Sequence, residues 1–225
     1  MSVRSTTNTA PEAPTANAPA VSVSPRPRKR LSRLERSPEA RELIFAAAAR
    51  VVGTYGYAEA SIARITEAAG IAQGTFYLYF KSRQDLFDEL LPHVGQDMLV
   101  FIRGRIQGST DVFEMEERAL RAFFEYLAKN PGFFRILNEA EVASPKAHRR
   151  HFKLLSEHYA ASLERSARTG QICGFALGEL ETLAYIFMAA RSYLYLRYVK
   201  NGETPQTLPE AAIQTYMKLL RSGLA

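Results

Sequence analysis

The chain has 225 residues, 47% apolar, 11% aromatic and 23% charged, which is room for a small domain joined to a larger one and excludes a fibrous or wholly disordered protein. A formal net charge of +6 favours a polyanionic partner without identifying one, and the single cysteine, Cys173, excludes an intrachain disulfide framework and fits a reducing compartment. The apolar stretch 183–190 stops at Arg191, far short of a bilayer span, and the N-terminus lacks the apolar run of a signal peptide, so a cytoplasmic protein with no membrane partner is expected.

Residues 1 to about 24 are rich in Ala, Pro, Ser and Thr and offer too little apolar surface to offset ordering entropy, which predicts a disordered tail. The following stretch sets Arg26, Arg28, Lys29, Arg30, Arg33 and Arg36 against one acid, Glu35. It reads either as a solvated charge run or as a basic arm that lies along nucleic-acid phosphates.

From Ser37 onward the pattern is helix after helix, with no convincing strand alternation, so the expected class is all-α. Ser37-Pro38-Glu39 supplies a cap, a proline at the first helical position and an early acid; Leu43, Ile44, Ala47, Ala48, Val51, Val52 and Tyr55 then form one face, ended by Gly56. A second, short helix starts after Ser61 and ends at Gly70, and only Ile71 and Ala72 precede a third over 73–80, with Phe76 and Phe80 facing inward. Two short helices across a glycine-containing turn make a helix-turn-helix. Ser82 caps a fourth, longer helix, with Asp85 as the reciprocal partner of a capping box.

The expected organisation is a tail with a basic arm over 1–37, a DNA-binding head over 38–91 and a larger helical body over 92–225. In the head, inward Phe76 and Phe80 leave Gln73, Gly74, Thr75, Tyr77 and Tyr79 on the other faces of a helix short enough to enter a major groove. Gln73 can bond a base edge, Gly74 leaves amide donors uncovered at the positive helix end, and Lys81 and Arg83 can reach flanking phosphates. Tyr77 and Tyr79 read alternatively as surface aromatics that pack on the first helix, and Ser61 is most economically an N-cap.

The run Ser61-Ile62-Ala63-Arg64-Ile65-Thr66-Glu67-Ala68-Ala69-Gly70-Ile71-Ala72-Gln73-Gly74-Thr75-Phe76-Tyr77-Leu78-Tyr79-Phe80-Lys81-Ser82-Arg83-Gln84-Asp85-Leu86 resembles the DNA-binding signature of the tetracycline-repressor (TetR) family. The resemblance implies operator contacts for Ser61, Arg64, Gln73, Gly74, Thr75, Tyr77, Tyr79 and Arg83. It also implies a dimeric regulator, not an enzyme, that binds an inverted-repeat operator in double-stranded DNA and is released by a small-molecule effector. Ala72 departs from the pattern, standing where the family often has a capping Ser or Thr, and Arg83 stands where it usually has Lys. A ligand-blind DNA-binding protein or an activator of the same fold is the alternative, with a helical-bundle enzyme using the histidines a further one.

In the body, the aromatic content suits an apolar pocket, although such residues at helical spacing are more often plain core; the resemblance implies an effector site there, with Phe124, Phe134, Tyr159, Tyr185, Phe187 and Arg191 as its candidate residues. Arg191 lies on the stripe of Phe187, Leu194 and Tyr198, where burial demands either a structural acid such as Glu139 or Glu141 or an anionic ligand. His148 and His151, three apart, read as a metal pair or as a solvated helix face; no metal and no cofactor is expected. The stripes of the last two helices, 178–200 and 209–222, predict a four-helix homodimer interface built on Leu180, Phe187, Ile213, Met217 and Leu220.

Overall fold

In a computed structural model describing residues 38–200 and 207–224, α1 (Pro38–Tyr55) places Pro38 and Glu39 in its first turn, where a missing N–H costs nothing and an acid meets the helix dipole. The tail and basic arm expected over 1–37 lie outside the described residues. Ala40, Ile44, Ala47, Ala48 and Val51, joined by Phe45 and Val52, form the buried face of α1. Leu43 and Tyr55, expected on that face, are exposed: Leu43 is turned about 100° from Ile44, whereas Tyr55, one turn beyond Val51 on the same face, is the last residue of the helix.

Helix α2 (Ile62–Ala69) starts at Ser61, whose hydroxyl accepts the Arg64 N–H at 3.2 Å, and ends at Gly70 with φ +69°. There the Gly70 and Ile71 amides close back onto Glu67 and Thr66, which satisfies carbonyls the helix would otherwise strand. Helix α3 (Gln73–Phe76) is a single turn, shorter than the helix expected over 73–80. Beyond it the Leu78 and Tyr79 amides bond three residues back, to Thr75 and Phe76, in tighter turns that carry Phe80 into the core beside Phe76. Ala72 occupies the N-cap with no side-chain bond.

Helix α4 (Arg83–Ile106) opens on Ser82, whose hydroxyl accepts the Asp85 N–H, while the Asp85 carboxylate accepts the Lys81 N–H. It continues through Pro92, so one helix serves both head and body. The body adds α5 (Val112–Lys129), α6 (Phe133–Ala143), α7 (Pro145–Arg168), α8 (Leu180–Tyr195) and α9 (Glu210–Leu224), with a 3-10 turn before α8 and a π turn after it. Helix α4 packs on α5 and α7, α8 on α7, and α9 on α5, and α6 lies against α1. No strand occurs among the described residues, and no described helix is long and apolar enough to cross a membrane.

The stripes assigned to dimerisation face inward. Leu180, Phe187, Ile213, Met217 and Leu220 are all buried within the single chain, because α8 and α9 spend their apolar faces on α7 and α5. They are core, and the surface that α8 and α9 leave exposed is a different one: Tyr185, Ile186, Ala189 and Tyr193 on α8, and Ala211, Thr215, Leu219 and Ser222 on α9.

Candidate functional site

The head presents a continuous edge from Gln73 to Arg83. Gln73, Gly74, Tyr77, Lys81 and Arg83 are exposed, and the segment 73–83 carries two cations and no acid. A Cβ on Gly74 would meet nothing within 4 Å, so packing does not demand glycine there, and its absence of a side chain leaves the start of α3 bare. Thr75, counted among the contact residues, is fully buried and turns its side chain into the head. The α3 turn is too short to show all its faces, and Thr75 shares the inward one with Phe76.

Ser61 is exposed with its oxygen engaged in the α2 cap. The Arg64 guanidinium donates to the Glu59 carbonyl at 2.7 Å and lies over the Tyr55 ring at 4.8 Å. That of Arg83 donates to the Ala58 carbonyl at 3.3 Å and lies over Phe87 at 5.5 Å, so both arginines are held against the head instead of ranging freely. Tyr79 is half-buried, and Leu78, which the sequence reading left unassigned, is 54% exposed at the tip.

A second feature lies in the body, a cavity of about 430 Å³ between α4, α5, α6, α7 and α8. Phe134, Tyr159 and Arg191 line it as expected, whereas Phe124, Tyr185 and Phe187 do not. Phe124 is buried in the α5 packing, Tyr185 is exposed on the outer face of α8, and Phe187 sits behind the wall against Tyr159 and Tyr216.

Arg191 is buried and paired, though not with Glu139 or Glu141. Its guanidinium donates to Glu116 of α5 at 2.6 Å and to the Tyr159 hydroxyl at 2.8 Å, and the Tyr159 and Tyr216 hydroxyls donate to the same carboxylate at 2.5 and 2.7 Å. Burial disfavours the Arg191 charge, but the facing Glu116 carboxylate outweighs it and holds its pKa above the ordinary value; burial likewise pushes both tyrosines up. Glu139 instead accepts the Tyr57 N–H at 2.8 Å and the Arg135 guanidinium at 2.7 Å, and Glu141 is exposed. The missed residue, Glu116, had a signal: it stands on the α5 stripe between Val112 and Leu120, an acid in a core position that needs a cation.

His148 and His151 do not act as a pair. His151 is buried and lines the cavity, while the His148 ring lies against Phe152 at 4.7 Å. No cluster of three or more His, Cys, Asp or Glu suited to a metal ion occurs among the described residues.

Head and body meet where α1 ends. A Cβ on Gly53 would stand 2.7 Å from the Gly132 Cα, so the two backbones touch, and the Arg135 guanidinium donates to the Thr54 carbonyl at 2.5 Å. Gly132 leads directly into α6, whose Phe133, Phe134 and Leu137 line the cavity.

Residues 44–90 match the model of the bacterial regulatory proteins of the tetR family. An uncharacterized HTH-type transcriptional regulator, YvdT of Bacillus subtilis, is 41% identical over 70 residues, 31% of this chain and 36% of that protein. The nucleoid occlusion factor SlmA of Haemophilus influenzae is 26% identical over 82 residues, 36% of this chain and 38% of its own. The chain thus spans just over a third of the length of these curated relatives. Among solved structures, the transcriptional regulator FadR from Bacillus subtilis in complex with stearoyl-CoA superposes with a TM-score of 0.69 at 20% identity, over 82% of this chain and 100% of that one.

Proposed function

We propose, from the match of residues 44–90 to the tetR family of bacterial regulatory proteins, that this chain is a sequence-specific transcriptional regulator, a dimeric repressor released from its operator by a small molecule. The observation that carries the reading is the acid-free edge 73–83 around an uncovered helix start. Gln73 reads a base edge in the major groove, Gly74 admits the DNA backbone to the α3 amides, and Lys81 and Arg83 hold phosphates. Leu78 adds an apolar contact at the tip, suited to a thymine methyl. Thr75 is a packing residue in this scheme.

The body is the sensor. The apolar cavity of about 430 Å³ and the likeness to a FadR structure that holds stearoyl-CoA support an effector with a long apolar chain. Release requires that effector and DNA prefer different conformers. Helix α6 connects the two sites, since it lines the cavity with Phe133, Phe134 and Leu137 and abuts α1 at Gly132. A chain that displaces α6 therefore shifts the head through a contact with no compressible side chain in it. The second copy docks on the outward face of α8 and α9, which pairs large groups, Tyr185, Ile186, Tyr193 and Leu219, with small ones such as Ala189 and Ala211. The protein acts where the DNA is, in the cytoplasm, and no reaction is assigned to it.

Selection from a randomised duplex library by the purified chain tests this reading. The expected product is an inverted repeat whose half-sites lie about one helical turn apart or more. Recovery of unenriched sequence, or of single half-sites only, contradicts it. A ligand-blind DNA-binding protein of the same fold is the second reading, and the apolar cavity favours the first.

A further inference from the structure

A buried imidazole needs a partner, since a polar group taken from water without one costs free energy comparable to a lost hydrogen bond. His151 is 1% exposed, and neither of its ring nitrogens has a hydrogen-bond partner. Its surroundings are aromatic, with Phe152 at 5.6 Å and Phe133 at 6.1 Å between ring centroids. Room for the ring comes from α4: a Cβ on Gly95 would stand 2.3 Å from Nδ1, so a glycine lets the imidazole in. The ring is also part of the cavity wall. Burial pushes its pKa down to about 4, which leaves a neutral ring with one donor and one acceptor.

The other end of the cavity has the opposite character. Arg165 lies fourteen residues beyond His151 on α7, about 21 Å at 1.5 Å per residue, and Arg103 lies eight residues beyond Gly95 on α4, about 12 Å. Both line the cavity, both are exposed, and neither has an ion pair among the described residues. Between the two ends the wall is mostly apolar, including Met98, Ile102, Met115 and Leu155. Of the polar groups on it, the Ser162 hydroxyl is bonded to Met115, that of Ser192 to the Met188 carbonyl and that of Tyr159 to Glu116, and His158 is exposed to solvent, unlike His151. Glu116 and Arg191 reach the wall but neutralise each other.

We propose that the effector is an elongated anionic amphiphile that carries a second, neutral hydroxyl at the far end of its chain, its anionic head at Arg103 and Arg165 and its hydroxyl bonded to His151. The inference rests on the reading of this cavity as the effector site. It names a chemical class, an acyl chain oxygenated at its tail, and it gives the unpartnered imidazole its missing bond. The anionic head is a free carboxylate or the phosphates of a thioester, two sources that differ only outside the cavity.

Calorimetric titration of the full chain with palmitate, ω-hydroxypalmitate and ω-hydroxypalmitoyl-CoA tests it. The hydroxylated acid is expected to bind about tenfold more tightly than palmitate, the worth of one buried hydrogen bond. His151→Phe should abolish that preference while binding palmitate at least as well as the wild type, and His151→Gln, which keeps a donor and an acceptor, should retain most of it. Arg103→Gln with Arg165→Gln should weaken both acids alike. Tighter binding of the thioester than of the hydroxy acid identifies the head as the phosphates, and the reverse as the carboxylate. Equal affinity of the wild type for palmitate and ω-hydroxypalmitate overturns the inference and leaves the effector cavity standing. Failure of all three to bind overturns both, while the selection of operator DNA reports separately on the head.

Discussion

Arg191 and His151 are both buried polar side chains on apolar helix faces, and they end differently because only one finds a partner inside the chain. For Arg191 the need for an acid was legible from its place on the α8 stripe, but its identity was not. Glu116 lies 75 positions away, and nothing in spacing couples two helices that far apart. Arg191→Met should cost about 3 to 5 kcal/mol in urea unfolding, because it strands the Glu116 carboxylate in the core. Adding Glu116→Gln should recover most of that loss, since the remaining amide and hydroxyls can satisfy one another. No recovery in the double variant would show that the loss came from packing.

His151 makes a pH prediction of definite sign. Its pKa falls from 6.5 to about 4 on folding, chiefly through burial and secondarily through the neighbouring His148. Below pH 6.5 the unfolded chain therefore takes up a proton that the folded one refuses, so stability is full above that value and is lost as the pH falls toward 4. The loss amounts to about 3 kcal/mol at most by linkage. Urea midpoints from pH 7 to about 5.5, above the range in which the paired carboxylates take up protons, should show a slope that His151→Phe removes; an unchanged slope in the variant assigns it to other groups.

At the scale of elements, periodicity located the helices well and their partners poorly. The caps at Ser61 and Ser82, the glycine stop at Gly70 and the inward pair Phe76 and Phe80 are where the local chemistry puts them. Helix α3 is shorter than its pattern implied because the turn after Phe76 tightens to bury Phe80, a tertiary demand absent from local propensity. The α8 and α9 stripes were identified as apolar and misassigned to dimerisation, since an amphipathic period marks the face that is buried without telling what buries it. The proposed placement of the second copy on the outward face separates two outcomes. Ile186→Asp with Leu219→Asp should leave helical circular dichroism intact and yield monomers in sedimentation. Met217→Asp should unfold the chain, as expected for a charge forced into a core. A folded Met217→Asp monomer would reverse this assignment.

Over the whole molecule, the head edge and the body cavity are joined by α6 and the Gly53–Gly132 contact, and the head edge is the part on which everything else depends. Gln73 and Gly74 sit at the bare start of α3, whereas Arg83 is held against Ala58 and Phe87 behind it, so the proposed reading gives base contact to the first and backbone contact to the last. The decisive measurement is the base preference and salt dependence of Gln73→Ala and Arg83→Ala on a randomised operator library at two salt concentrations. Gln73→Ala should lose roughly 1 to 3 kcal/mol on the best site and relax preference at one base pair in each half-site. Arg83→Ala should weaken all sequences alike and lower the salt slope by about one unit per head. Base preferences that survive Gln73→Ala and change with Arg83→Ala would contradict the account, because α3 would then not be the element that reads the DNA.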